Sequence, residues 1–476
     1  MTVVKDQESL TNIRRILDEN KVMFLATAVD SNPSVSSVFY GYTEPREGEF
    51  EIYFFSFFPT VKLQQINYNK KVEFQIADNL SNGIKGIQVT GKAYFVKDKE
   101  EIENKIKPLI NKSSSSAFAD FYGLDAVARW VKIIPTKIKY IDFYNKEQFR
   151  HIEYKENQSS FAGNLIESVK MRTKLWFRAV RAPFFTASII PILIGAILAW
   201  SLLNEINFFT LIVTLLSGVA IQGGTNMLND YFDHTSRNDE SNKNATPFNG
   251  GSRLIQAGLM SSTKVGISAL LLFAIGTIGA LYLEFLIGGQ IILGLLVFGV
   301  FIGLFYTADP LRIGYRGLGE FAVGIGFGPI FVLVSWYIQS GSTDFLIPFY
   351  WSIPVALLIA NILIINEFQD YDADKLVGKN TLVVKLGKLR AFQLYKSTTV
   401  LAYIWILAGA FIFFESAILT LIVLITLPLA IKALKHISSN FDKIYELIPG
   451  NVMTIGIHFT VGLLLIIGFF LTKVIL

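Results

Sequence analysis

From Ala182 to the end of the chain, apolar stretches of about 17 to 22 residues follow one another with only short polar loops between them, each close to the length that crosses a bilayer core of about 30 Å as a helix. They predict an all-α membrane bundle of about nine transmembrane helices. The expected spans are Ala182 to Leu203, Phe208 to Leu228, Val265 to Leu283, Ile291 to Ala308, Leu318 to Ile338, Trp351 to Ile365, Thr398 to Phe414, Ala417 to Ala433 and Met453 to Leu471. Alternate loops carry the basic residues: Arg178 and Arg181 before the first span, Lys243 and Lys264 after the second, Arg312 and Arg316 after the fourth, Lys385 and Arg390 after the sixth, Lys432 and Lys435 after the eighth. Loops near Asn204, Glu284, Asp344 and Glu415 contain none. Because short basic loops stay cytoplasmic, the expected location is the inner (cytoplasmic) membrane, with the N-terminal domain in the cytoplasm and the C-terminus on the outer side.

The 476 residues divide at a composition boundary: 1–150 reads as a folded domain outside the membrane, 151–181 as a basic linker or interfacial helix, and 182–476 as the membrane part. A net charge of +5 fits basic loops over anionic lipid and gives no nucleic-acid footprint. With no cysteine, disulfides, thiolate metal sites and cysteine nucleophiles are excluded.

Most of the chemistry-bearing carboxylates lie at the ends of two spans predicted to finish on one side. The first cluster holds Asn226, Asn229, Asp230 and Asp233, running on to Arg237 and Asp239; the second holds Asn366, Glu367, Asp370, Asp372 and Asp374, followed by Lys379. If the spans continue as helices, Asp230 and Asp233 share a face, as do Asp370 and Asp374. Asp239, Asp372 and Glu367 lie off the best-facing positions. Carboxylates packed on one face repel unless a cation sits between them, and hard oxygens with amide helpers suit Mg²⁺, which takes further ligands from substrate phosphates. Arg253, Arg316 and Lys379 are the candidate partners for the remaining charge of a diphosphate.

These residues resemble the UbiA superfamily of intramembrane prenyltransferases, with Asn226, Asn229, Asp230 and Asp233 matching its first acidic motif and Asp370 and Asp374 its second. Gly250-Gly251-Ser252-Arg253, Tyr315 to Glu320 and Gly378 to Leu382 are similar to the branch that prenylates 1,4-dihydroxy-2-naphthoate for menaquinone. The resemblance implies Mg²⁺-dependent transfer of a polyprenyl group from its diphosphate to an aromatic acceptor. The four aspartates would be catalytic, and with Asn226 and Asn229 would hold metal; Arg253, Arg316, Lys379 and Arg237 would face the diphosphate, and Tyr306, Tyr315 and Asn366 the acceptor or an allylic cation. Arg237 stands where many members carry a third aspartate. Two other readings stay open: transfer to 4-hydroxybenzoate or a glycerol phosphate, and a non-catalytic isoprenoid-binding or transport protein.

The first domain reads as a mixed β fold. Leu10, Ile13 and Leu17 sit at helical spacing, ahead of strand candidates Val22 to Val29, Val35 to Tyr42, Phe50 to Ser56, Val72 to Ala77, Gly86 to Val96 and Lys137 to Tyr144. Phe24 to Ala28, Thr60-Val61-Lys62 and Gln88 to Ala93 resemble the split-barrel family that includes pyridoxamine phosphate oxidase. That resemblance implies FMN, with Ser56 and Lys62 at its phosphate; a structural barrel, or one that dimerises the protein, is the alternative.

Overall fold

The computed structural model describes every residue except 1–6, 30–31, 45–49, 58–59, 78–84, 114–127, 143–148, 154–160, 237–245, 247 and 476. The chain groups into two compact units, Met1–Trp176 with Leu254–Ser261, and Phe177–Arg253 with Ser262–Leu476.

In the first unit, strands β1 (Val22–Val29), β2 (Asn32–Phe39), β3 (Gly41–Tyr42), β4 (Ile52–Phe57), β5 (Lys71–Ala77), β6 (Lys85–Val96), β7 (Ala128–Asp142) and β8 (Phe149–Glu153) form one antiparallel sheet. Its order is β2-β1-β5-β6-β7-β4-β3, with β8 added on β7. Alternation explains the sheet's inner face: Met23, Leu25 and Val29 of β1 and Val72, Phe74 and Ile76 of β5 are buried, while their neighbours point outward. Helix α1 (Gln7–Glu19) adds Ile13, Ile16 and Leu17 to that core, each side chain contributing about 1.5–3 kcal/mol of burial. A second helix, α2 (Val61–Tyr68), precedes β5.

Two strand expectations are corrected. Val35 to Tyr42 divides into β2 and β3, and the strand expected from Lys137 begins at Ala128. The ladder shifts register between Thr90 and Gly91, and Pro135 lies opposite Gly91, where a missing donor is tolerated. A Cβ on Gly91 would come within 2.7 Å of the Ile134 carbonyl oxygen, so only glycine admits this approach.

Helix α3 (Phe161–Ala179) leads into the second unit, with Val169 and Phe177 exposed beside exposed Lys170, Arg172 and Lys174. Among the described residues, eight helical segments are long and apolar enough to cross a membrane: Ala182–Leu203 (α4, which opens with a 3₁₀ turn), Phe208–Thr235 (α5), Ser262–Ile287 (α6), Gly319–Ser340 (α8), Leu346–Leu376 (α9), Lys388–Ile412 (α10), Phe414–Asn440 (α11) and Ile448–Ile475 (α12). The remaining expected span is helix α7, Ile291–Phe305, whose 15 residues reach only about 22 Å. It ends early because the chain turns at Tyr306 and reaches Pro310, which a continuing helix would not accept.

Large side chains of α4, α8, α9, α10 and α12, among them Leu198, Trp336, Trp351, Ile406 and Phe469, form the main membrane-unit core. Gly195 lets α4 touch α8 through the backbone, since a Cβ there would collide with the Val332 carbonyl oxygen. On α6, Ile267, Leu271, Ile275, Ile278 and Phe285 stay exposed, an apolar surface that only lipid can cover at low cost. The chain is an integral membrane protein.

Candidate active site

Both acidic motifs lie on helix, because α5 and α9 continue past their apolar stretches: α5 runs to Thr235 rather than stopping at Leu228, and α9 to Leu376 rather than Ile365. These extra turns carry Asp233 and Asp374 into one cavity of about 180 Å³. Asn226, Asn229, Asp233, Tyr306, Asn366, Glu367, Asp370, Asp374 and Lys379 all line it, with Arg181.

Lys379 joins the two motifs. Its Nζ lies 3.8 Å from Asp233 Oδ2 and 3.5 Å from Asp374 Oδ1, and 5.3 Å from the centre of the Tyr315 ring. Burial works against its charge, but Asp233 and Asp374, with Tyr315 and Asp370 beyond them, outweigh that and hold the ammonium well above the usual lysine range. The loop that presents it is fixed by the Lys379 amide donating to the Asp374 carbonyl (2.8 Å) and the Asn380 amide donating to the Tyr315 carbonyl (3.0 Å). Tyr315 in turn donates its hydroxyl to Asp233 Oδ1 at 2.8 Å, and burial followed by the Asp233 charge raises its phenol.

Asp370 accepts from the Asn249 amide at 2.9 Å and from the Gly250 backbone at 3.4 Å, which ties the segment after α5 to the end of α9. Asp230 is not among the cavity's lining residues. It is buried behind Arg181, with which it makes an ion pair, and both its oxygens accept from the Ser252 amide at 3.2 Å. Arg181 also donates to Asn229 Oδ1 at 3.2 Å, and Asn226 holds the turn before α4 by donating to the Val180 carbonyl at 2.9 Å.

Among the residues expected at a diphosphate, Lys379 lines the cavity, whereas Arg253 and Arg316 do not; Arg316 is exposed and donates to the Pro310 carbonyl at 3.0 Å. Arg237 and Asp239 fall outside the described residues. The cation that sequence reasoning missed is Arg181, which reads there only as one of several basic residues before the first span. Tyr315 reaches the site through Asp233 rather than by lining the cavity.

Four lining carboxylates (Asp233, Glu367, Asp370, Asp374) face two cations (Arg181, Lys379), an excess of negative charge that a divalent ion would offset. Among the described residues, no three carboxylate or histidine groups converge closely enough to hold a metal on their own. The donors are nonetheless of the right kind, because Asn226, Asn229, Asp233, Asp370 and Asp374 all offer hard oxygens to one space. A second cavity, of about 100 Å³, shares Thr225, Tyr306, Val323 and Phe327 with the first and is walled by Leu295, Leu296, Ile330 and Phe331. A charged chamber thus adjoins an apolar one.

In the first unit, Ser56 Oγ lies 3.2 Å from Thr60 Oγ1, and Ser56 is buried. Lys62 is half-buried on α2 and has no carboxylate partner among the described residues; burial alone pushes its ammonium below the usual lysine value. Gln65 of the same helix accepts from the Ser34 hydroxyl at 2.8 Å and from Thr27, tying α2 to the β1–β2 hairpin.

Residues 188–448 match the UbiA prenyltransferase family, and residues 10–142 match the pyridoxamine 5'-phosphate oxidase family. The chain is 28% identical over 301 residues to a 2-carboxy-1,4-naphthoquinone phytyltransferase of Synechocystis sp., covering 62% of this chain and 93% of that one. It is 30% identical over 266 residues to a 1,4-dihydroxy-2-naphthoate octaprenyltransferase of Bacillus subtilis, covering 56% and 82%. The protein of that same name from Escherichia coli is 25% identical over 309 residues, covering 63% and 97%. With two acidic helix ends opening on one chamber of a membrane bundle, and a family match across more than half its length, this chain belongs to the UbiA prenyltransferase family and carries a pyridoxamine-phosphate-oxidase-like barrel at its N-terminus.

Proposed function

We propose that this prenyltransferase moves a polyprenyl group from its diphosphate to 1,4-dihydroxy-2-naphthoate in menaquinone biosynthesis, with Mg²⁺ held by Asp233, Asp370, Asp374, Asn226 and Asn229. The observation that carries this reading is the shared cavity: carboxylates from α5 and α9, bracketed by Arg181 and Lys379, open beside an apolar chamber suited to a hydrocarbon tail. The acceptor rests on the names of the relatives and on the three motif strings.

In this reading Arg181 and Lys379 take the diphosphate oxygens, Arg181 through a planar fork and Lys379 as a point charge. When bound, Mg²⁺ supplies Lewis-acid stabilisation of the charge that builds on the departing diphosphate. The prenyl carbon–oxygen bond breaks with its electron pair leaving on the diphosphate. The acceptor's ring carbon then forms the new carbon–carbon bond, and the ring regains aromaticity by losing a proton to solvent or, where that carbon bears the carboxylate, carbon dioxide, the bonding electron pair returning to the ring in either case. Tyr306, shared by both chambers, sits where the allylic carbon would pass, and its ring face can stabilise positive charge. Asp230 acts one step back, holding Arg181 and the Ser252 amide. The basic loops support a cytoplasmic location for this chamber.

The test is transfer by purified protein in lipid, given labelled polyprenyl diphosphate, Mg²⁺ and separately 1,4-dihydroxy-2-naphthoate, 4-hydroxybenzoate or glycerol phosphate. Labelled naphthoate product with release of inorganic diphosphate is expected. Product with another acceptor alone reassigns the substrate, and binding without diphosphate release supports the non-catalytic alternative.

For the barrel, the same reading is FMN with its phosphate at Lys62, Ser56 and Thr60, because a half-buried lysine without a carboxylate partner beside two hydroxyls suits an anion. Purified protein is then yellow, and Lys62→Ala loses most of its flavin absorbance; colourless wild-type protein that takes up no added FMN rejects the assignment. Phe24, Val35 and Phe39, exposed on one face of the β1–β2 hairpin, support pairing of two barrels.

A further inference from the structure

The site contains a lining carboxyl, Glu367, that the metal and diphosphate do not use. Glu320 opens α8 and Glu367 lies on α9, one turn before Asp370; both are almost fully buried. Glu320 has a structural duty, its Oε1 accepting from the Leu382 amide at 3.0 Å. That contact anchors the start of α8 to the segment that follows Lys379. Oε2 of Glu320 and Oε2 of Glu367 have no hydrogen-bond partner among the described residues.

An enclosed carboxyl oxygen without a donor costs about 1–3 kcal/mol or more. The arrangement makes sense if a ligand brings the donor. Of the two residues, only Glu367 lines the cavity. The cavity also presents Tyr306, Val323, Phe327, Ile362 and Leu363, apolar or aromatic surfaces suited to a flat ring rather than to a phosphate. Asn366, next in sequence, is held by the Asn451 amide at 2.8 Å and is turned to a different partner.

We propose that Glu367 recognises the acceptor: its carboxyl takes a hydrogen bond from a ring hydroxyl and so selects hydroxyarenes and sets which ring carbon faces the allylic carbon. This deepens the prenyl-transfer reading and rests on it. Lys379 and the aspartates select the diphosphate; Glu367 selects the ring. A negatively charged substituent on the acceptor belongs away from Glu367, toward Arg181 or Lys379.

The test compares a hydroxyarene acceptor with its methyl ether in wild-type protein, Glu367→Gln and Glu367→Asp, while binding of an unreactive prenyl diphosphate analogue is measured separately. Wild type is expected to favour the free hydroxyl by about tenfold or more, the scale of one hydrogen bond to a charged group. In Glu367→Gln that preference collapses to within about twofold and KM for the hydroxyarene rises, with analogue affinity unchanged. Glu367→Asp, which keeps the carboxyl but withdraws it, raises KM and retains the preference. A Glu367→Gln protein that keeps the wild-type preference overturns the assignment, as does one whose loss tracks lost analogue binding. If wild type binds the analogue but prenylates no hydroxyarene, the transferase reading with this acceptor class fails first, and the inference falls with it.

Discussion

Asp370→Ala is expected to lower kcat/KM for prenyl transfer by about 10³-fold in membranes containing matched amounts of protein, the equivalent of about 4 kcal/mol of lost transition-state charge stabilisation. The side chain has two jobs that must be separated. It lines the charged chamber, and it accepts hydrogen bonds from Asn249 and Gly250. Alanine removes both, so a loss of activity alone could come from a released loop. Asp370→Asn keeps an oxygen for the Asn249 amide and removes the charge and the long 3.4 Å Gly250 contact. It is expected to lose nearly as much activity as alanine, with thermal stability close to wild type. An Asp370→Asn enzyme with near wild-type turnover would reject a metal-holding role and leave Asp370 as a structural residue.

The same reasoning predicts that not every aspartate in the motifs is equal. Asp230 is screened from the chamber by Arg181 and already satisfied by the Ser252 amide, so its removal acts through the arginine. In sequence, Asp230 and Asp233 are indistinguishable members of one motif; spacing gives the shared helix face but not which carboxylate a neighbouring turn will cover.

Much of the architecture was legible because its signals are local. Apolar length marks about nine spans, eight of which are, among the described residues, helices long and apolar enough to cross a membrane, and alternation marks β1 to the residue. The failures have physical causes. Pro135 lies inside β7 opposite Gly91, where the register shifts, and that pairing is set by a strand distant in sequence. Helix α7 reads as a full span because its apolar run continues to Ala308, while the turn at Tyr306 depends on the chain beyond it.

The site followed the same division. Asp233, Asp370 and Asp374 announce themselves by spacing, and Lys379 by following the second motif. Arg181 is hidden in a basic tract whose other members have different partners, and only the approach of α5 singles it out. Glu367 lies off the face that a helical wheel favours, and its place in the cavity lining comes from how α9 packs among the other helices. Pairings between helices leave no periodic trace in either one.

The chamber's negative excess also makes a prediction about binding rather than rate. With Mg²⁺ withdrawn, Asp233, Asp370 and Asp374 would repel an incoming diphosphate, and Arg181 and Lys379 are already drawn to Asp230, Asp233 and Asp374. The measurement is equilibrium binding of an unreactive prenyl thiolodiphosphate to the purified protein in lipid, with Mg²⁺ or with a chelator. Affinity is predicted to fall by about tenfold or more without the ion, equal to at least about 1.4 kcal/mol, and to fall likewise in Asp370→Asn with the ion present. Equal affinity with and without Mg²⁺ would contradict a metal-bridged diphosphate between the two acidic helix ends.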